Sequence, residues 1–247
     1  MTEVPALAQL RWPVLDANRP LLLVPIGSTE QHGPALPLGA DTMIATSVTQ
    51  EVARRLVDDG HHALVAPALG YGASGEHEGF PGTISIGQEA LRLMLVEVGR
   101  SACRWAGDVV LVNGHGGNAL PVREAVEQLR EEGRPVAWTD CSVPGADAHA
   151  GLTETSLLQF LAPWTVRVDL LAPGTTTPIQ ELMPTLRADG VRAVSHNGVL
   201  GDPTGASADG GRRLLEQVVT RVTREIADGA VGTDGRLGAG ARHAATG

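Results

Sequence analysis

Residues 21–41 read LLLVPIGSTEQHGPALPLGAD, an apolar run of strand length that stops at Gly27 and gives way to Glu30, His32 and Asp41 on a backbone stiffened by Pro25, Pro34 and Pro37. A solvated turn needs polar atoms, but it has no need of two carboxylates and an imidazole. Such a loop at the end of a strand points to a site. The run itself is continuous rather than alternating, as expected of a strand buried on both faces, and such strands belong to parallel sheets.

Working outward, the same pattern recurs. Apolar runs at 63–68, 109–112 and 136–139 are separated by helix-like stretches at 42–57, 88–105 and 120–132. Right-handed βαβ crossovers place helices on both faces of a sheet. The spacing therefore predicts a single-domain α/β fold, a three-layer α/β/α sandwich with a mostly parallel central sheet. A further helix over 208–227 completes a domain spanning 1–228, and the Gly/Ala-rich residues 229–247 read as a disordered tail.

Composition narrows the function. With 247 residues, 43% of them hydrophobic, the chain can bury one sizeable core. Its net charge of −9 is spread without a basic block, which argues against nucleic-acid or anionic-membrane partners. All the basic residues are arginines, so a Schiff-base lysine, a P-loop lysine and a lysine general base are excluded. Cys103 and Cys141 sit in no CxxC pair and read as reduced thiols. Neither a membrane span nor a signal peptide is recognisable, so the expectation is a soluble, cytoplasmic protein.

In open α/β sheets ligands bind beyond the carboxyl ends of the strands, and the polar motifs fall there. GYGASGEHEGFPGT (70–83) follows the second run, NGHGGN (113–118) the third and CSVPGADAHAGLTETS (141–156) the fourth. Together with the opening loop they bring Glu30, His32, Asp41, Glu76, His77, Glu78, His115, His149 and Glu154 to one rim. Imidazole mixed with carboxylate suits zinc, iron or manganese, whereas calcium and magnesium sites are nearly all oxygen. Glu30 and His32 are two apart, so in an extended segment they share a side and can grip one ion or two adjacent ones. Asp41 has two oxygens with which to bridge two ions. His115 lies between glycines, which lets the backbone approach a metal or substrate.

Each residue has a plainer reading. Asp41 precedes a helix and could cap it; His115 could be a hydrogen-bonded turn residue; His77 could simply be packed in a rigid loop. Capping, however, requires no histidines, and their gathering at adjacent strand ends favours a metal. Asn113 and Asn118 read as braces for their loop. His61, His62 and His243 read as surface residues, and His196 is left open. A Ser-His-Asp hydrolase is disfavoured because no GxSxG elbow occurs.

The blocks PIGSTEQHGPALPLGADTMIA, HEGFPGTISI, NGHGGN, HAGLTETS and GVLGDPTGAS together resemble the successive signatures of the creatininase family of metal-dependent amidohydrolases, in family order from Pro25 to Ser207. The resemblance implies a three-layer fold, one or two divalent transition ions (zinc, iron or manganese), hydrolysis of a C–N amide bond, and a homo-oligomer, often a hexamer. It implies Glu30, His32, Asp41 and His115 as metal ligands with Asp41 bridging, Glu154 as a further ligand or catalytic residue, and His149 as the residue that polarises the carbonyl or moves a proton; either Glu30 or Glu154 could instead be the base. His77, Gly116 and Gly117 fall at the substrate, where the glycine amides can receive an oxyanion. Two positions depart from creatininase, which has glutamates where this chain has Gly117 and Ala148. The whole chain is most similar to the mycofactocin-system branch, which implies a peptidase removing a C-terminal dipeptide from a ribosomally made precursor. A small cyclic-amide or formamide hydrolase is the alternative, and a non-catalytic metal-containing peptide-binding protein is the alternative of another class.

Overall fold

The apolar runs become one parallel sheet of β1 (Leu21–Ile26), β2 (Ala63–Val65), β3 (Val109–Asn113) and β4 (Val136–Asp140), in spatial order β2-β1-β3-β4. This architecture comes from a computed structural model that describes residues 6–15 and 19–238. Register is set by pairs such as Leu23 with Val65, Val24 with Leu111 and Val110 with Ala137. Successive side chains face opposite sides. Leu23, Val110, Val112 and Ala137 pack under α1 (Ala40–Asp58), α4 (Leu152–Leu161) and α6 (Ala208–Asp228), whereas Leu22, Val24, Leu111 and Trp138 pack under α2 (Gly87–Ala102) and α3 (Ala119–Glu131). The result is the expected three-layer α/β/α sandwich. Among the described residues no helix is long and apolar enough to cross a membrane.

Several boundaries differ from the sequence reading, each for a local reason. β2 ends at Val65, short of residue 68. Pro67 has no N–H to donate, and pairing resumes only as a single bridge between Ile26 and Leu69. Pro25 is tolerated inside central strand β1 because β2 has already ended beside it; Pro25 retains its carbonyl, which accepts from Leu69 N at 3.0 Å, as Gly27 N in turn donates to Leu69 O at 2.9 Å. The helix expected to reach residue 105 stops at Ala102. α4 begins inside a segment that read as loop, and α5 (Ile179–Asp189), which carries Pro184 in its interior, gave no helical signal at all.

The tail requires a correction. Trp138 N donates to Gly235 O at 3.0 Å, Leu237 N donates to Trp138 O at 2.9 Å, and the Trp138 indole donates to Asp234 O at 3.0 Å. Arg236 pairs with Asp140 at 2.6 Å. Residues up to 238 therefore line the open edge of β4 and satisfy its backbone groups, a common way to cover an edge strand. Composition failed here because hydrogen bonds to an edge need few large apolar side chains. Residues 239–247 of the expected tail lie outside the described residues.

Candidate metal centre

Three connections at the carboxyl end of the sheet build the site: β1–α1, β2–α2 and β3–α3, joined by the segment that leads into α4. Asp41 lies in the first turn of α1, but its carboxylate caps nothing. It turns inward, accepting from Ser28 Oγ at 2.5 Å and standing 3.2 Å from His32 Nε2 and 3.4 Å from His115 Nδ1. The positive end of the helix favours a carboxylate there. Asn118 ties the loops together by donating to Gly27 O at 2.9 Å and accepting from Ala73 N at 2.8 Å, and Asn113 Nδ2 donates to His115 O at 2.7 Å.

The ligand-type atoms form three compact groups: Glu30 with Asp41 and His115, His32 with Asp41 and Glu154, and Glu30 with His32 and His149. Asp41 is shared by the first two, as a bridging carboxylate would be. Both oxygens of Glu30 are buried and accept no hydrogen bond, although His115 Nε2 lies 3.2 Å and His77 Nε2 3.3 Å away. A buried carboxylate without donors is costly, and a divalent ion among these atoms removes the cost. The donor set of carboxylates and imidazoles without thiolate fits a transition metal in an open, catalytic kind of shell.

Electrostatics agree with that fit. Burial pushes the Glu30 carboxyl up to about 7, against the pull of His115. Burial also opposes charge on His32 and His115, but Asp41 beside the first and Glu30 beside the second outweigh it and lift both to about 10. Asp41 is raised by burial yet held well below the usual carboxylate range by the same two imidazoles. Without metal, then, protons on His32 and His115 take the place of the cation. Burial and the charged His115 and His32 push His77 down to about 3, and burial with His32 and His77 holds His149 well below its ordinary value.

This sets the sign of a pH effect. If His115 holds one ion and His32 a second, each imidazole, raised to about 10, loses its proton when its ion binds, so near pH 8 the apparent affinity for each ion rises about tenfold per pH unit. Below about 7 Glu30 adds a second proton for the ion it shares with His115, and that slope steepens. A competition titration against a chromophoric chelator from pH 6.5 to 8.5 measures this slope, and a flat profile would contradict it.

Gln31, which the sequence reading passed over, proves to be the connector. Its Nε2 lies 2.8 Å from His77 Nδ1 and 3.1 Å from Gly198 O, while its Oε1 accepts from Gly33 N at 2.9 Å. His149 Nε2 lies 2.8 Å from the Gln31 main-chain carbonyl, which can only accept, and 3.1 Å from the Gln31 side-chain Nε2, which can only donate, while His149 Nδ1 stands 3.7 Å from Glu30 Oε1. No pattern of spacing signals a buried glutamine between two candidate ligands. Glu154 Oε2 accepts from Ala150 N at 2.6 Å and lies 3.8 Å from His32 Nε2; Ala150 adopts φ +52°, a left-handed conformation uncommon for alanine.

The groups open into a cavity of about 1000 Å³ whose walls include His77, Gly116, Gly117, His149 and Glu154, with Met183 and Leu186 of α5 on the far side. Glu78 of the expected rim is exposed and outside it, as are His61, His62 and His196. GDPTGAS is structural: Asp202 accepts from Thr204 N at 2.9 Å, and Ser207 caps α6 by accepting from Gly210 N at 3.1 Å.

Comparison with known proteins bears directly on this geometry. The Creatininase (creatinine amidohydrolase) family model matches residues 8–226. A mycofactocin precursor peptide peptidase of Mycobacterium ulcerans is 52% identical over 227 residues, covering 90% of this chain and 91% of its own. One of Mycolicibacterium smegmatis is 55% identical over 206 residues, 83% of each. The solved structure "Creatininase Mn" superposes with a TM-score of 0.77 at 27% identity, covering 91% of this chain and 98% of its own. With a parallel sheet, a carboxylate–imidazole centre at its carboxyl end and relatives matching over most of its length, the chain belongs to the creatininase family of hydrolases.

Proposed function

We propose that this hydrolase is a metal-dependent peptidase that cuts an amide bond near the end of a ribosomally made precursor peptide, releasing a C-terminal dipeptide in mycofactocin biosynthesis. The observation that carries it is the pair of orphaned Glu30 oxygens beside His77, His115 and His149, three histidines that line a cavity of about 1000 Å³. That space is larger than a small cyclic amide requires, and the two mycobacterial relatives named as precursor peptide peptidases support a peptide as occupant.

In this reading Glu30, Asp41 and His115 hold one ion, and His32, Asp41 and Glu154 can hold a second; zinc, iron and manganese all suit the donors. When bound, the metal supplies an acidified water, its pKa lowered to about 7, and polarises the scissile carbonyl. Glu154, 23% exposed and raised by burial, is placed to take the water's proton. His149, held neutral in the same cavity, would pass to the leaving amine the proton that Glu154 takes from the water. Gly116 and Gly117 open the helical turn that leads into α3, where amides lack intrahelical partners, and one good donor to the oxyanion contributes about 3 kcal/mol. The reading includes a cytoplasmic setting, consistent with free Cys103 and Cys141, and a homo-oligomer, the hexamer of the family resemblance, consistent with the exposed Trp12 and Trp164.

The test is incubation of metal-loaded protein with a synthetic precursor peptide, followed by mass spectrometry. Release of the terminal dipeptide that stops with chelator and returns with metal is expected. Intact peptide alongside hydrolysis of small cyclic amides or formamides would replace this reading with the amidohydrolase alternative.

A further inference from the structure

Gly117 is closely surrounded. A Cβ there would lie 2.4 Å from His115 Nε2, 2.5 Å from the Ala73 carbonyl oxygen and 2.7 Å from Glu76 Oε1. The space beside His115 that a side chain at 117 would fill is thus reached by a carboxylate from a different loop, the one joining β2 to α2. Glu76 Oε1 stands 3.7 Å from His115 Nε2 and 3.9 Å from His77 Nε2. Those distances are too long for hydrogen bonds. They match two donors sharing one ion, because ligands at about 2.0–2.2 Å from a metal stand about 3–4 Å apart. His115 Nε2 is also 3.2 Å from the orphaned Glu30 Oε2. Among the described residues nothing donates a hydrogen bond to the Glu76 carboxylate, and it lines the cavity. Glu78, two residues on, is exposed and turned away from the cavity, so position in an acidic loop does not account for Glu76.

We propose that Glu76 is a ligand of the ion held by Glu30 and His115, supplying from the β2–α2 loop the carboxylate that a glycine at position 117 cannot. This rests on the metal-hydrolase reading of the site. Glu76 lies outside the three compact groups, so it closes on the ion by rotating its own side chain, which its 33% exposure permits. It is therefore the exchangeable member of the shell, the one that a substrate carbonyl can displace.

Full-length protein is stripped with chelator and titrated with cobalt(II), reading the visible absorption of the bound ion and its affinity against a chromophoric competitor. Glu76→Gln keeps the shape and removes the charge; Glu78→Gln is the control for loop charge. The expected result is about 100-fold weaker binding of one ion and an altered cobalt spectrum in Glu76→Gln, with Glu78→Gln like wild type and the melting temperature of all three metal-free proteins alike. Wild-type affinity and spectrum in Glu76→Gln would overturn the assignment, even if hydrolysis were lost. Failure of the wild type to take up any cobalt would overturn the metal reading of the whole site, and the assignment with it.

Discussion

If the centre is loaded as proposed, Asp41→Asn loses its metal and lowers hydrolysis by at least about 10⁴-fold, because the water activation and carbonyl polarisation that several kcal/mol of metal catalysis represent are lost together. The substitution is nearly isosteric, but it removes the negative charge common to the Glu30–Asp41–His115 and His32–Asp41–Glu154 groups. Replacement of any other ligand spares one group or the other. An amide also points an N–H towards His32 or His115, 3.2 and 3.4 Å away, where lone pairs must face the ion. Metal content per chain and kcat, measured on protein purified without chelator, check the result; an active variant that still holds metal would sink the bridging role.

The same variant has a pH signature in the metal-free state. His32 is raised from 6.5 to about 10, so the stability it draws from Asp41 is fully present below about 6.5 and disappears as pH rises through 10. Loss of the pair costs about 3 kcal/mol, as for other broken buried ion pairs. The gap in melting temperature between metal-free wild type and Asp41→Asn should thus be widest near pH 6 and close towards pH 10.

The second large effect is Gly117→Ala. The added methyl would sit within 2.5 Å of both His115 Nε2 and the Ala73 carbonyl oxygen. The carbonyl belongs to backbone tied to Asn118 through Ala73 N at 2.8 Å, so the imidazole is what gives way. Displacing a catalytic-site group by about 1 Å costs about 100-fold in kcat/KM, and overpacking costs about 1–3 kcal/mol of stability. Gly116→Ala is the comparison. Its Cβ meets nothing within 4 Å, so metal content stays at the wild-type level, whereas in Gly117→Ala it falls. Equal metal content in the two variants would show that the crowding at position 117 is absorbed elsewhere.

Residues 21–41 carried most of what could be read without coordinates. The continuous apolar run made β1 a doubly covered strand, and the ionisable residues in a proline-braced loop marked its end as a site. The glycine-flanked His115 and the run from His149 to Glu154 were legible for the same reason, since side chains of that chemistry rarely gather after consecutive strands by chance. The limits were equally physical. α5 was hidden by Pro184, and the ordered part of the tail was hidden by small residues that act through backbone hydrogen bonds, on which composition is silent.

What the sequence determined by itself was therefore the layer order, the strand ends that carry chemistry and the kinds of donor gathered there, because periodicity and residue type are local properties. Tertiary structure alone decided which atoms meet. Whether Asp41 capped a helix or turned inward, whether Gln31 faced solvent or joined His77 to the 198 turn, and whether Glu76 or a residue at 117 stood beside His115 all depend on contacts between segments distant in the chain. Those contacts are set by the packing of loops over the sheet end, and no spacing along the chain encodes them.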